Sequence, residues 1–349
     1  MMSSTNIMSM SGVVLISELG SPSLSAVASI AMASLSNQTA LTHRARLQES
    51  QASLAIERWE RVRAKKDFQP AANARVRALP FPCACAIKLL MKIATWNVNS
   101  VNARLSTMLE VFKACGADVW CLQELKCIDE KFPRDAFESL GFNVAVHGQK
   151  AWNGVALLSK FPISDVTRGL DGEPSDEQSR YIEAVIECPR PVRVASIYLP
   201  NGNPRPGEKY DYKLRWMERL IDRARGLLIN EEAVILAGDY NCIPRDEDCW
   251  DPKVWADDAL AYPPTRERLR KLQWLGYADA FMARDGRIQK YTFWDNQGGA
   301  WQKDHGIRID HLMCSPQAAD RLHAVAIHRN ARGMEKPSDH VPLIGTFAD

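Results

Sequence analysis

The chain has 349 residues, 46% of them hydrophobic and 25% charged, which supplies one large core or two modest ones and excludes a disordered or fibrous protein. The formal charge of +2 is too small to imply a nucleic-acid partner. Residues 1–90 carry 10 Lys and Arg against 5 Asp and Glu, while residues 91–349 carry 34 against 37, so a polyanion-binding face in the larger part must be a local basic cluster.

Up to Gln51, Ser, Ala and Met dominate and no strand-like alternation is seen. A helix is expected around Ser53 to Lys66, after which Pro70, Pro80 and Pro82 interrupt the chain. Such a segment buries too little apolar surface to fold alone, so residues 1–90 are expected to be a disordered extension. Two readings compete: a transit peptide or tail, and a mis-assigned start with Met91 as the true one. The second is preferred, because Met91 directly precedes the strand pattern Lys92–Trp96. The apolar run Val13–Ile16 has no basic segment before it and makes a poor secretory signal. No run of about 18 uncharged apolar residues exists to cross a bilayer. Nine scattered cysteines, with Cys83 and Cys85 as one C-x-C pair and no second pair, argue against zinc and for a reduced compartment. The cytoplasm of a bacterial-type cell is expected, with organelle targeting by residues 1–90 left open.

From Met91 on, Leu105–Cys115 reads as a helix, and Val119–Leu122 as a buried strand ending at Gln123-Glu124. Val155–Leu158, Tyr181–Ile186 and Val192–Tyr198 read as strands. Tyr212–Leu228 is a long helix with Leu214, Met217, Leu220, Ile221 and Leu228 on one side. Lys213, Arg215, Arg219, Arg223 and Arg225 mark its other side as a solvated face. Ala233–Gly238 is a strand, Arg266–Leu275 a helix and Ile309–Cys314 a strand. Strands outnumber helices and several are joined too tightly for helical crossovers. Antiparallel sheets faced by helices, an α/β sandwich, are therefore favoured over a dinucleotide-binding fold.

Polar, metal-capable residues recur where apolar strands end. Asn97 and Asn99 follow Ile93–Trp96, Glu124 follows Val119–Leu122, and Tyr198 with Asn201 closes Val192–Ile197. Asp239 with Asn241 follows Val234–Gly238, Asp339 with His340 precedes Val341, and Asp310 opens a strand. If those strands lie side by side, the side chains share one pocket. Phosphodiester cleavage needs this set: carboxylate and amide oxygens for a hard cation, a carboxylate base for water, and donors for charge developing on phosphorus. Each piece alone has a plainer reading. Glu124 could be a strand-end acid, Gly238-Asp239-Tyr240-Asn241 an ordinary turn, Asp339-His340 a surface pair, and Tyr198 scaffold. Their joint occurrence in order is the specific signal.

Trp96-Asn97-Val98-Asn99, Leu122-Gln123-Glu124-Leu125-Lys126, Tyr198-Leu199-Pro200-Asn201-Gly202, Gly238-Asp239-Tyr240-Asn241, Arg308-Ile309-Asp310 and Ser338-Asp339-His340 stand in the order of the exonuclease III/abasic-site endonuclease family. The chain resembles that branch of the endonuclease/exonuclease/phosphatase superfamily across 91–349 and not in 1–90. The resemblance implies a deoxyribonuclease I-like, four-layer α/β sandwich of two packed, mainly antiparallel sheets flanked by helices. It also implies a Mg²⁺ cofactor, with Mn²⁺ as a substitute, held by Glu124 beside Asn97 and Asn99. Asp239 would orient or deprotonate the attacking water, helped by Asn241, both also placed next to the metal. His340 would contact the scissile phosphate with its tautomer held by Asp310, Asp339 would support the metal or leaving-group side, and Tyr198 and Asn201 would steady the phosphate. Some relatives carry Asp where this chain has Asn99, so one metal-side charge is missing.

Other branches usually place His at the Tyr198 position, so Tyr-x-Pro-Asn-Gly points to the DNA-repair branch. Tyr291-Thr292-Phe293-Trp294 followed by Arg308-Ile309-Asp310 resembles the pocket that accepts a base-less sugar, with Phe293, Ile307 and Ile309 as apolar walls and Arg308 beside them. Trp294 is read as core. Lys126, Lys150, Arg205, Lys303 and Arg308 lie near the motif loops as candidates for backbone phosphates. The expected activity is incision 5′ to abasic sites and 3′-end trimming on double-stranded DNA, leaving 3′-hydroxyls, by a monomer without a membrane. Action on RNA or a phosphoinositide is the alternative enzyme reading. A catalytically silent DNA-binding module is the other, and it would require loss of Glu124, Asp239, Asp310 or His340, all of which are present.

Overall fold

The structure, a computed structural model, describes residues 90–349. The expectations for the N-terminal extension, including the helix near Ser53 and the Cys83/Cys85 pair, lie outside the described residues. In chain order the first strands are β1 (Leu90–Asn97), β2 (Val119–Gln123), β3 (Asn143–His147), β4 (Val155–Ser159), β5 (Ile163–Arg168) and β6 (Tyr181–Ile186). They are followed by β7 (Val192–Tyr198), β8 (Val234–Asp239), β9 (Ala278–Asp279), β10 (Asp310–Cys314), β11 (Leu322–Ile327) and β12 (Leu343–Ala348). They form two six-stranded sheets, ordered β11-β12-β1-β2-β4-β3 and β5-β6-β7-β8-β10-β9. The three longest helices are α1 (Leu105–Cys115), α2 (Glu208–Leu228) and α3 (Pro263–Trp274).

Each sheet is antiparallel except for one central parallel pair, β1–β2 in the first and β7–β8 in the second. A parallel pair needs a crossover, and α1 and α2 supply the two. This arrangement aligns the C-terminal ends of β1 with β2 and of β7 with β8. The chain therefore delivers four motif loops to one end of the sandwich.

Side-chain alternation builds the layers. Ile93, Val119, Cys121 and Leu157 meet Ile182, Val194, Ile235, Ala237 and Leu312 between the sheets. Ala94, Trp96, Trp120 and Leu122 point the other way, onto Val111 and Phe112 of α1. On the far side Ala195, Ile197 and Leu236 cover Trp216, Leu220 and Leu269 of α2 and α3. The result is four layers, helix–sheet–sheet–helix. Each large apolar side chain so buried contributes about 1.5–3 kcal/mol. α1 stops where Gly116, at φ 58°, donates its N–H back to the Phe112 carbonyl. The seven cysteines among the described residues are free and buried, as small apolar filler would be.

One expectation fails on α2. Only Arg215 and Arg225 of its basic side are exposed. Arg219 pairs with Asp176, Arg223 with Glu183, and Lys213 is sealed from solvent. These cations bind carboxylates and carbonyls from other elements instead of water. No described helix is long and apolar enough to cross a membrane.

Candidate active site

The interior of the sandwich changes character along the strands. Its middle is aliphatic, but toward the shared end the inward positions become Thr95 and Asn97 on β1, Gln123 on β2, Ser196 and Tyr198 on β7, and Asp239 on β8. Gln123 Nε2 donates across the gap to Ser196 Oγ at 2.9 Å, and Thr95 Oγ1 donates to Gln123 Oε1 at 3.3 Å. One step further out, Tyr198 lies in register with Asp239, and Asp239 with Asp310. Three polar residues thus form one row across the second sheet. Asn97 closes the row from the first sheet, donating from Nδ2 to Asp239 Oδ2 at 3.0 Å and to Glu124 Oε1 at 2.8 Å.

The loops that follow are bent to aim side chains inward. Asn99, Glu124 and Asn241 are not glycine, yet they take φ of 45°, 54° and 42°. Left-handed backbone costs such residues about 1–3 kcal/mol each and is a mark of functional loops. Hydrogen bonds hold the bends: the Asn241 N–H donates to Asp239 Oδ1 at 2.8 Å, and the Asn99 N–H to Asn97 Oδ1 at 3.1 Å. The latter fixes the Asn97 amide with its nitrogen toward the carboxylates. Asn241 Oδ1 likewise accepts from Asn201 Nδ2 at 3.0 Å, while its own Nδ2 donates to the Leu199 carbonyl at 2.9 Å. Each amide oxygen accepts one hydrogen bond within the protein. In this arrangement Asn97 and Asn241 orient carboxylates, and the second lone pair of each amide oxygen stays available to a cation.

His340 enters from the loop before β12. Ser338 Oγ donates to the Asn97 carbonyl at 2.7 Å, and Trp96 Nε1 donates to the His340 carbonyl at 3.0 Å, which pins that loop to β1. His340 Nδ1 donates to Asp310 Oδ2 at 2.9 Å, leaving Nε2 facing Asp239 Oδ2 at 3.7 Å. Burial alone would lower the His340 pKa, but Asp310, Asp239 and Asp339 outweigh it and hold it up at about 10. Burial pushes Asp239 up to about 7 against the pull of the His340 cation. Tyr198 keeps its phenolic proton, since burial and the Glu124 and Asp239 charges raise its pKa well above normal.

Two groups offer themselves to a cation. Ligand atoms of the buried Asp239, Asp310 and His340 lie within 4.8 Å of one another, so this group can bind a metal, and Asp310 Oδ1 has no hydrogen-bond partner among the described residues. The other is Glu124 with Asn99 and Asp339. Burial would raise the Glu124 pKa, but hydrogen bonds from Asn97 and Lys126 outweigh it and keep the carboxylate ionised. Burial of Asp339 is similarly outweighed by the His340 charge and a bond from Asn99. The Lys126 ammonium sits 2.6 Å from Asn99 Oδ1 and 2.9 Å from Glu124 Oε2. These oxygens already converge on a positive charge, and an all-oxygen set fits a hard divalent cation.

The expected substrate-facing residues divide. Phe293 is half-buried with its ring edge-on to His340, centroids 4.9 Å apart, and Asn201 is exposed at the rim. Ile307 and Ile309 lie behind Phe293, buried with Ile243, Cys249 and Leu260. Arg308 does not reach any ligand-accessible surface. It is fully buried, bound to Asp248 at 3.0 Å and Asp279 at 2.7 Å. The expected roles of these three at the sugar or phosphate are corrected to packing and internal charge pairing. Arg205 is engaged too, paired with Asp257 at 2.8 Å and stacked 3.4 Å over the Tyr262 ring. Trp294 is core, as read from the sequence. The sequence reading passed over Arg180, whose guanidinium lies 4.8 Å over the Tyr198 ring at the site's edge. Nothing local marks it, since its position depends on β6 and β7 pairing.

Residues 94–340 match the family model described as "Endonuclease/Exonuclease/phosphatase family". The chain is similar to exodeoxyribonuclease III of Haemophilus influenzae, 31% identical over 266 residues that cover 74% of this chain and 100% of that protein. Among solved structures it is similar to the 3′-5′ exonuclease NExo from Neisseria meningitidis, with a TM-score of 0.71 and 36% identity over 74% of this chain and 100% of that one. It is also similar to an AP endonuclease from Archaeoglobus fulgidus, with a TM-score of 0.70 and 34% identity over 74% of this chain and 99% of that one.

Proposed function

The chain belongs to the endonuclease/exonuclease/phosphatase family, and from that premise we propose that it is a DNA repair nuclease of the exodeoxyribonuclease III and AP endonuclease type. It is a phosphodiester hydrolase whose similar proteins are an exodeoxyribonuclease, a 3′-5′ exonuclease and an AP endonuclease. The proposed substrate is double-stranded DNA with abasic sites or damaged 3′ ends, the cofactor Mg²⁺ with Mn²⁺ as substitute, and the working unit a monomer in a bacterial-type cytoplasm. Residues 91–349 would be the catalytic domain.

The observation that carries this reading is the convergence of Asn97, Glu124, Asp239, Asp310 and His340 from three strands and two loops at one end of the sandwich. Asp239, with its pKa near neutrality, is suited to take a proton from water as that water attacks phosphorus. The bond from phosphorus to the 3′ oxygen breaks and the departing oxygen takes a proton from solvent, giving a 3′-hydroxyl and a 5′-phosphate. The His340 cation, held by Asp310, donates from Nε2 to a non-bridging phosphate oxygen, and each such placed donor is worth about 100-fold or more in rate. Protonated Tyr198, Asn201 and Arg180 would steady the same phosphate. Glu124, Asn99 and Asp339 would hold the divalent cation, which when bound supplies Lewis-acid stabilisation of the developing negative charge. Phe293 would wall the sugar side, where a base-less nucleotide needs no stacking broken to enter.

Cleavage of a duplex with one abasic site, with Mg²⁺ and with EDTA, tests the proposal. A single 5′ incision bearing a 3′-hydroxyl, abolished by EDTA, is expected. Activity on RNA or a phosphoinositide with the abasic duplex left intact would overturn it.

A further inference from the structure

Lys213 lies on α2, one layer behind the site. Its side chain is fully buried, and among the described residues no carboxylate is within ion-pair distance of it. Removing an ammonium from water without a counter-ion is disfavoured by several kcal/mol, and an apolar side chain of similar length would fill the same space. A charge kept there needs a reason other than packing.

What the ammonium touches supplies one. Nζ donates to the Asn201 carbonyl at 2.9 Å and to the Asn241 carbonyl at 2.6 Å. These are the loops leaving β7 and β8, which are also tied by the Leu199 N–H to the Asp239 carbonyl at 2.9 Å and by Asn241 Nδ2 to the Leu199 carbonyl at 2.9 Å. Above the lysine, Asn201 Nδ2 meets Asn241 Oδ1 at 3.0 Å, and the Asn241 N–H holds Asp239 Oδ1 at 2.8 Å. The chain has made room for this stem. At Gly202, with φ +88°, an added Cβ would stand 2.6 Å from Lys213 Cδ. The glycine after Asn201 is thus needed both for its backbone and for the lysine's passage.

We propose that Lys213 is a positioning residue for phosphodiester hydrolysis: its ammonium clamps the Asn201 and Asn241 loops together, fixes the amide pair that orients Asp239, and places an unneutralised positive charge behind the phosphate. Lys213 supplies a charged donor that joins the Asn201 and Asn241 carbonyls beneath their amide pair, and a donor misplaced by about 1 Å costs roughly 100-fold in rate. This inference deepens the hydrolytic reading and rests on it.

K213M tests it, since methionine keeps the stem and removes both charge and donors. The expected result is cooperative melting, KM for the abasic duplex within about threefold of the parent, and kcat lower by about 100-fold. L220A, on the same helix but away from both loops, is the stability control: a lower Tm with parental kcat per folded molecule. Should K213M not melt cooperatively, K213Q takes its place, and a kcat loss of at least about tenfold at near-parental KM is required. A kcat within about twofold of the parent in the lysine variant overturns the proposal, as does a matching kcat loss in L220A. An inert parent protein overturns the hydrolytic reading and the lysine's role with it, whereas an active parent with an unaffected variant overturns only the lysine's role.

Discussion

His340 Nδ1 donates to Asp310 Oδ2 at 2.9 Å, and this bond leaves the other ring nitrogen as the single imidazole donor aimed into the site. The bond joins the loop before β12 to the second sheet, so it is a bridge between the two halves of the sandwich as well as an electrostatic pair. Asp310 is the largest of the influences that raise the His340 pKa.

That pairing sets a pH profile. The reaction as proposed needs Asp239 ionised and His340 protonated, so kcat/KM should rise through a limb near pH 7 and fall through one near pH 10. The two groups interact, and the limbs belong to the pair. D310N removes a charge that raises both the imidazole and the Asp239 carboxyl, so both limbs should move to lower pH. An alkaline limb unmoved in D310N would remove His340 from the profile.

Glu124 is the ionised carboxylate on the side where Lys126 and Asn99 converge. E124Q keeps the shape and removes the charge, so Mn²⁺ binding followed by electron paramagnetic resonance should weaken by roughly tenfold or more. The Mg²⁺ midpoint of cleavage should move in step. Unchanged Mn²⁺ affinity would shift the metal to the Asp239, Asp310 and His340 group.

Arg308 is a stability residue in this structure. R308M removes the cation that Asp248 and Asp279 share, leaving Arg245 on Asp248 and His311 on Asp279, a loss of about 3–5 kcal/mol, readable by urea unfolding. Burial would raise both carboxyl pKa values, but Arg308, with Arg245 on Asp248 and His311 on Asp279, outweighs it and depresses them. A depressed folded pKa gives stability that is present above the unfolded value and lost as pH falls. In R308M the depression of both carboxyls should shrink, so less stability should be lost on acidification than in the parent. A variant with parental stability and lost DNA binding would restore Arg308 to the substrate.

The strand-end signal was legible because each motif residue follows a continuous apolar run, and Leu105–Cys115, Tyr181–Ile186 and Val192–Tyr198 have the boundaries read from the sequence. β3, β5 and β11 were missed because they are sheet-edge or near-edge strands with half-exposed, irregular faces. β12 is broken in pattern by Gly345, where a Cβ would press on Phe347 and Leu312. The errors on charged residues share another cause. Arg308 is neutralised by residues 60 and 29 positions away, and Lys213 is hydrogen-bonded to carbonyls 12 and 28 away, so a sequence shows their charge but not their burial. Amide direction at Asn97 and Asn241 is equally invisible before the loops are built.

Asp239 is where both sheets, the Asn97 bridge and the His340 dyad meet, so the most direct test replaces it with its neutral isostere. In D239N, single-turnover cleavage of an abasic duplex should fall by roughly three orders of magnitude or more while the dissociation constant for that duplex changes by less than about threefold. Cleavage that persists near the parental rate, or that falls only in proportion to lost binding, would contradict a water-activating carboxylate at the centre of the site.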